Sequence, residues 1–263
     1  MFFDINQLKA LANCFLAKND AGRVWLSFLT FGYLYNSCPT NALGFYDMAL
    51  NYRVVPVTAF QQNCSVIWCD QTSKAAVVDP GGDLERILAV VEAEGVTLES
   101  ILLTHGHVDH IGATEALSRQ ADIPVIGPHK ADLFWIQMLP QICQQYGFPS
   151  AASFTPDQWL SDGDRVEVGN ETLQVIHTPG HTPGHLVFYH QKQALAWVGD
   201  VIFQGSIGRT DFPQGDYDTL INSIRTSLWP LGDEVTFVPG HGPNSTIGKE
   251  RRTNPFVSDA TFG

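Results

Sequence analysis

Leu102–Gly112 reads LLTHGHVDHIG. An apolar run ends, and His105, His107, Asp109 and His110 follow within one turn. Their spacing fits neither the 3.6-residue period of a helix nor the alternation of a strand, so no regular element spreads them apart. Imidazole and carboxylate groups crowded this way disfavour folding unless something neutralises them, and a cation does so. The preceding residues, Ser100–Thr104 (SILLT), are almost wholly apolar, as expected of a strand covered on both faces.

On either side of this turn, short apolar runs alternate with turn residues. RVVPV, CSVIWC and KAAVVDPGG read as strands, the third ending at Pro80-Gly81-Gly82. Asp83 is expected to cap a helix, LERILAVVEAEG, that stops at Gly95. After the histidine turn come a predicted helix (IGATEALSRQ), the strand PVIG and a helical segment around Asp132–Met138. DRVEVG and ETLQVIH read as a hairpin through Gly169-Asn170, and LVFYH and ALAWVGD as another strand pair. A helix over Tyr217–Leu228 precedes a last strand in VTFVPGHG. Helices falling between groups of strands predict a mixed α/β domain of packed sheets with helices outside.

Residues 1–47 read differently. Phe3, Ile5, Leu8, Leu11, Phe15 and Leu16 recur at near-helical spacing, and no cluster of donor or nucleophilic residues follows. We expect an N-terminal extension over 1–47, either packed on or poorly ordered, and one regular α/β domain over 48–263. Met48 as the native start would leave the extension outside the protein; a natural peptide from before Met48 would overturn that.

The 263 residues carry a formal charge of -12, which disfavours nucleic acid or an anionic membrane as partner. None of the five cysteines stands in a C-x-x-C pair, so a cytoplasmic protein with neither disulfides nor a cysteine zinc site is expected. The longest early apolar run, Val24–Tyr35, is too short to span a bilayer. The sequence does not specify an oligomeric state.

Three further polar residues also follow apolar strands: His181 after LQVI, Asp200 after LAWVG and His241 after VTFVP. Loops at strand ends are where a rigid scaffold presents reactive groups. Five histidines and two carboxylates suit borderline divalent metals. Seven donors exceed one tetrahedral ion and fit two ions sharing a carboxylate, a known hydrolytic device. His129, His177 and His190 read as structural, and His185 as orienting the loop or a ligand through a hydrogen bond.

THGHVDH, HTPGH, GD and PGH, in this order, resemble the motifs of the metallo-β-lactamase fold superfamily. GSIGRTDFPQGD and TIGKERRTNPF resemble more narrowly the small bacterial type II glyoxalase-like (hydroxyacylglutathione hydrolase-like) enzymes, and the resemblance covers Asn51 to Phe256. It implies a four-layer αββα sandwich with metals at one edge. It implies that His105, His107 and His181 hold a first ion, that Asp109, His110 and His241 hold a second, that Asp200 bridges, and that Asp79 supports the site from behind. Two divalent ions are expected, zinc by default and iron or manganese as alternatives.

The activity implied is thioester hydrolysis, as of S-lactoylglutathione in methylglyoxal detoxification, by a hydroxide held between the ions, with Asp109 and Asp200 as the catalytic carboxylates. A thiolate leaving group, with a parent pKa of about 8.5, needs little protonation. The alternative is a mono-iron glutathione persulfide dioxygenase using His105, His181 and Asp200. Full-length type II glyoxalases carry a helical domain that binds glutathione, for which the residues after His241 leave no room. Arg209, Lys249, Arg251 and Arg252 are therefore the candidate substrate cations, with Arg209 otherwise paired to Asp211.

Overall fold

The computed structural model describes residues 50–262 and, before them, only the backbone of β1 (Ala17–Lys18) and β2 (Val24–Trp25). The chain divides into two units, Met1–Tyr46 and Asp47–Gly263. Within the first, β1 and β2 pair antiparallel. The helix expected among residues 3–16 and the Met48 start lie outside the described residues.

In the second unit, β3 (Leu50–Val57), β4 (Gln62–Cys69), β5 (Lys74–Val78), β6 (Thr97–Leu102) and β7 (Val125–Ile126) form one sheet in that order. The first pairs are antiparallel; β5, β6 and β7 run parallel. Parallel neighbours need crossovers. α1 (Leu84–Glu94) supplies one, and α2 (Val108–Ile111) with α3 (Thr114–Ala121) the other. α4 (Leu133–Tyr146) follows β7.

The second sheet has the order β15-β14-β11-β10-β9-β8. Its strands are β8 (Arg165–Val168), β9 (Glu171–His177), β10 (Leu186–His190), β11 (Leu195–Gly199), β14 (Thr236–Pro239) and β15 (Ser245–Thr246). A small hairpin, β12 (Ile202–Phe203) and β13 (Ser206–Ile207), follows β11. α5 (Tyr217–Ser223), extended by wider turns to Leu228, leads to β14; α6 (Ile247–Thr253) and α7 (Asp259–Phe262) come last.

Strand alternation explains the layering. On β6, Ile101 faces the helical layer of α1, α3 and α4, while Leu102 faces the other sheet. On β10, Leu186 and Phe188 face inward to the first sheet, and Val187 and Tyr189 face α5 and its neighbours. Each sheet is thus covered on both faces around its centre, where residues on both sides of β10 and β11 are buried, and the result is the four-layer αββα sandwich that the sequence predicts.

Three local expectations differ. Asp83 stands at the N-cap of α1, as expected, but its side chain makes no capping bond. It sits at φ 47°, and its side chain accepts the Thr58 N–H at 2.8 Å. The helix expected over IGATEALSRQ is broken into α2 and α3, because the Ala113 N–H donates to the Pro80 carbonyl (2.9 Å) instead of a helical one. α6 and α7 were not expected at all. Among the described residues, no helix is long and apolar enough to cross a membrane. Cys64, Cys69 and Cys143 are buried free thiols.

Candidate metal centre

The C-terminal ends of β5, β6, β11 and β14 and the β9–β10 loop meet at one edge of the sandwich. Donor atoms of His105, His107 and His181 gather there within 4.8 Å of one another, and so do those of Asp109, His110 and His241. Asp200 lies between the two groups. Its Oδ1 is 3.4 Å from His110 Nε2; its Oδ2 is 3.5 Å from His181 Nε2 and 3.7 Å from His241 Nε2. Gly240 makes this approach possible: a Cβ there would come within 2.0 Å of Asp200 Oδ1.

Four of the five histidines have one ring nitrogen engaged from behind. Nδ1 of His110 donates to Asp79 Oδ2 at 2.8 Å, and Nδ1 of His181 to the Arg209 carbonyl at 2.6 Å. Nδ1 of His241 donates to the Phe60 carbonyl at 3.1 Å, and Nδ1 of His105 stands 3.0 Å from Thr104 Oγ1. Such outer bonds fix tautomer and ring orientation and, where the ring is neutral, leave the other nitrogen a free lone pair. Those free nitrogens converge: His105 Nε2 and His181 Nε2 lie 3.1 and 2.9 Å from His107 Nδ1. Asp79 also falls near His105 and His110. Its oxygens are already taken by the Thr104 N–H, the Thr104 hydroxyl and His110, so it orients rather than faces the centre.

The electrostatics agree with a cation site. Burial, reinforced by the neighbouring rings, pushes His105 and His107 well below their ordinary pKa and lowers His181, leaving neutral imidazoles. Burial would also strip His110, but Asp200 and Asp109 outweigh it and hold a proton there. Burial would raise Asp200; the facing His110 and His181 outweigh it and keep Asp200 ionised. His107 Nε2, His110 Nε2 and Asp200 Oδ1 are buried without a hydrogen-bond partner. Buried polar atoms left this way call for a partner. Imidazole and carboxylate donors of this number fit divalent ions.

Outside the donor set, His185 Nε2 accepts the Asp200 main-chain N–H at 3.0 Å, and its ring stacks on His105. Asp132, which sequence reasoning treated only as the start of a helix, is buried beneath both histidine loops. It accepts from Gly106 N (2.9 Å), Thr182 Oγ1 (2.8 Å) and Gly184 N (2.6 Å). Burial is the largest influence on it and raises its pKa to about 6 against those bonds. His129 and His177 stack on each other, and His190 bonds Glu171 at 2.9 Å.

A cavity of about 670 Å³ opens over the centre, lined in part by His107, Asp109, Asp200, Arg209 and His241. Arg209 pairs with Asp211 through two bonds, at 2.9 and 2.8 Å. Lys249, Arg251 and Arg252 lie on α6, away from the cavity lining. Arg251 is drawn to Asp259 and Arg252 to Asp233.

Residues 57–241 match the profile of the metallo-beta-lactamase superfamily. The chain belongs to this superfamily. A relative named hydroxyacylglutathione hydrolase GloC, from Haemophilus influenzae, is 46% identical over 80% of this chain and 99% of its own. A solved structure described as the BLEG-1 B3 metallo-beta-lactamase is 38% identical, with a TM-score of 0.73, over 79% of this chain and 99% of its own. The structure of TTHA1623, described as di-iron-bound, is 36% identical with a TM-score of 0.72, over 78% of this chain and all of its own. The chain is thus a hydrolase of this superfamily, with His and Asp groups that could hold metal ions.

Proposed function

We propose that this metallo-hydrolase cleaves thioesters of the acyl-glutathione type, S-lactoylglutathione among them. The observation that carries the reading is two three-residue donor groups, with Asp200 between them, at the floor of a cavity whose wall offers little to protonate a leaving group. Of the donors in that wall, Arg209 is engaged by Asp211, and Tyr146 stands on α4. An amide would need a proton delivered to nitrogen, whereas a thiolate departs without one. The name of the Haemophilus relative supports the same substrate class.

His105, His107 and His181 would hold one divalent ion, Asp109, His110 and His241 a second, and Asp200 would face both. When bound, such ions supply an activated water and polarise the substrate carbonyl. The chain's own part is positional. Asp79, Thr104 and the carbonyls of Phe60 and Arg209 aim the imidazoles. His185 anchors the Asp200 main chain, and Asp132 ties the two histidine loops together. Zinc is the expected metal, with iron or manganese as alternatives; the relative described as di-iron-bound supports iron among these.

The test is elemental analysis together with release of free thiol from one acyl group carried on glutathione, coenzyme A and a small thiol. Two ions per chain and thioester cleavage are expected, with a glutathione preference in kcat/KM below about a thousandfold, because among the described residues lining the cavity the one Lys or Arg, Arg209, is already paired with Asp211. One iron per chain with oxygen uptake on glutathione persulfide would replace the reading by a dioxygenase. Turnover of a cephalosporin with no thioester cleavage would replace it by a lactamase.

A further inference from the structure

The wall of the cavity opposite the donor groups has a character that the thioester reading does not explain. α4 is apolar on two faces. Ile136, Leu139 and Cys143 pack into the core between α4 and the first sheet. Trp135, Met138, Ile142 and Tyr146 fall at i, i+3, i+7 and i+11, and all four line the cavity. Phe60, from the β3–β4 turn, and Phe212 continue the same lining. Trp135 and Phe212 both lie edge-on to the His107 ring, with centroids 4.5 and 4.9 Å away, so the apolar surface reaches the donor groups without a break.

Much of this surface is uncovered. Phe60 is 49% exposed, Met138 42% and Tyr146 53%, and they are half of the six large apolar side chains exposed among the described residues. Single exposed apolar residues are ordinary, but a contiguous patch leading into a reactive centre marks a ligand groove. The charge around it is unsuited to an anionic tail. Among the described residues that line the cavity, Arg209 is the only Lys or Arg, and Asp211 neutralises it while its guanidinium stacks on Phe212 at 4.4 Å.

Resting on the thioester reading, we propose that the α4 wall is an acyl subsite, and that the preferred substrates are thioesters whose acyl group is apolar, either a medium-length alkyl chain or an arylacyl group. The carbonyl then lies at the donor groups, and the acyl chain runs from His107 along Trp135, Met138 and Tyr146 towards Phe60. Short hydroxyacyl groups reach only the Trp135 and Phe212 edge of the wall and gain little from it.

The experiment uses the metal-loaded enzyme and glutathione thioesters that differ only in the acyl group: lactoyl, acetyl, butanoyl, hexanoyl and octanoyl. A parallel set keeps the acetyl group and lengthens an alkyl thiol. Full burial of a methylene is worth about fourfold, so kcat/KM is expected to climb by up to about fourfold per CH2 along the acyl series and to stay level along the thiol series. Met138→Gln combined with Tyr146→Gln, both at exposed positions, should lower the octanoyl-to-acetyl ratio by at least about tenfold. A flat or falling acyl series, a rise along the thiol series instead, or a ratio unmoved by the two substitutions would each overturn the subsite. Cleavage of none of these esters by the metal-loaded protein would overturn the thioester reading beneath it, a result distinct from a flat series.

Discussion

His185 Nε2 accepts the main-chain N–H of Asp200 at 3.0 Å, so the carboxylate that stands between the two donor groups is held through its backbone by a residue outside them. A bare imidazole nitrogen must do this, and burial, with His181 nearby, keeps His185 well below its ordinary pKa and hence neutral. His185→Ala is expected to lower kcat/KM about 10–100-fold, the usual cost of losing an orienting partner behind a metal site. Asp200→Asn should cost far more, because it removes the charge that faces both groups. Steady-state kinetics on one thioester decide; a larger loss for His185→Ala would exchange the roles given to His181 and His185.

Removing metal should destabilise the protein. Asp109 and Asp200 each approach His241 Nε2, at 3.2 and 3.7 Å, so without an ion two carboxylates share a small buried space. An ion that binds only the native state stabilises it by mass action. Chelation is expected to lower Tm by several degrees, and readdition of metal to restore it. An unchanged Tm, with metal loss confirmed by elemental analysis, would separate the cluster from folding.

Asp132→Ala would leave the Gly106 and Gly184 amides buried with no acceptor and free Thr182 from its tie. Breaking such a buried network is expected to cost about 2–4 kcal/mol in urea unfolding of the metal-loaded protein, and metal affinity should fall with it. Gly184→Ala tests the same clamp from the other side, since its Cβ would come within 2.6 Å of the Asp132 side chain. A loss below about 0.5 kcal/mol for either variant would remove the clamp from the account.

The pH dependence is sharpest to test far from the centre. Glu171 is buried; burial would raise its pKa, but bonds from His190 and Lys192 outweigh it and hold the carboxyl below its usual value. A depressed folded pKa contributes stability that is present above the unfolded value and is lost as pH falls through the folded one. Wild type should therefore exceed Glu171→Gln by about 1 kcal/mol at neutral pH, and the gap should close as the pH drops below the ordinary carboxylate range. A gap that persists at the acid end would assign the stability to packing instead.

The donor residues are legible because their chemistry is visible one at a time. His105, His107, Asp109 and His110 stand in an irregular turn where nothing else accounts for them, Asp200 and His241 come just after apolar strands, and His181 stands in the loop that follows β9. The layering is legible for a similar reason, since β10 and the ends of β4 and β6 are largely apolar and buried on successive residues, and so must be covered on both faces. What aims the donors is less visible. Asp132 looks like an acid at a helix start, but its partners lie 26 to 52 residues away, and only the fold brings them beneath it. The carbonyls of Phe60 and Arg209 leave no trace in side-chain identity. A charge also says nothing of its direction: Arg251 and Arg252 sit close in sequence to the motifs, yet Asp259 and Asp233 turn them elsewhere.

Neither sheet owns the donor set. His105, His107, Asp109 and His110 hang from the first sheet, while His181, Asp200 and His241 hang from the second. The distance between the two groups of loops is therefore set by the thickness of the apolar filling between the sheets, where Leu102 and Ile67 meet Phe188, Trp197 and Val238. That filling works as a gauge. Trimming one of its side chains lets the sheets settle closer, and widening one wedges them apart, so the spacing of the reactive loops is adjustable from residues that no substrate ever touches.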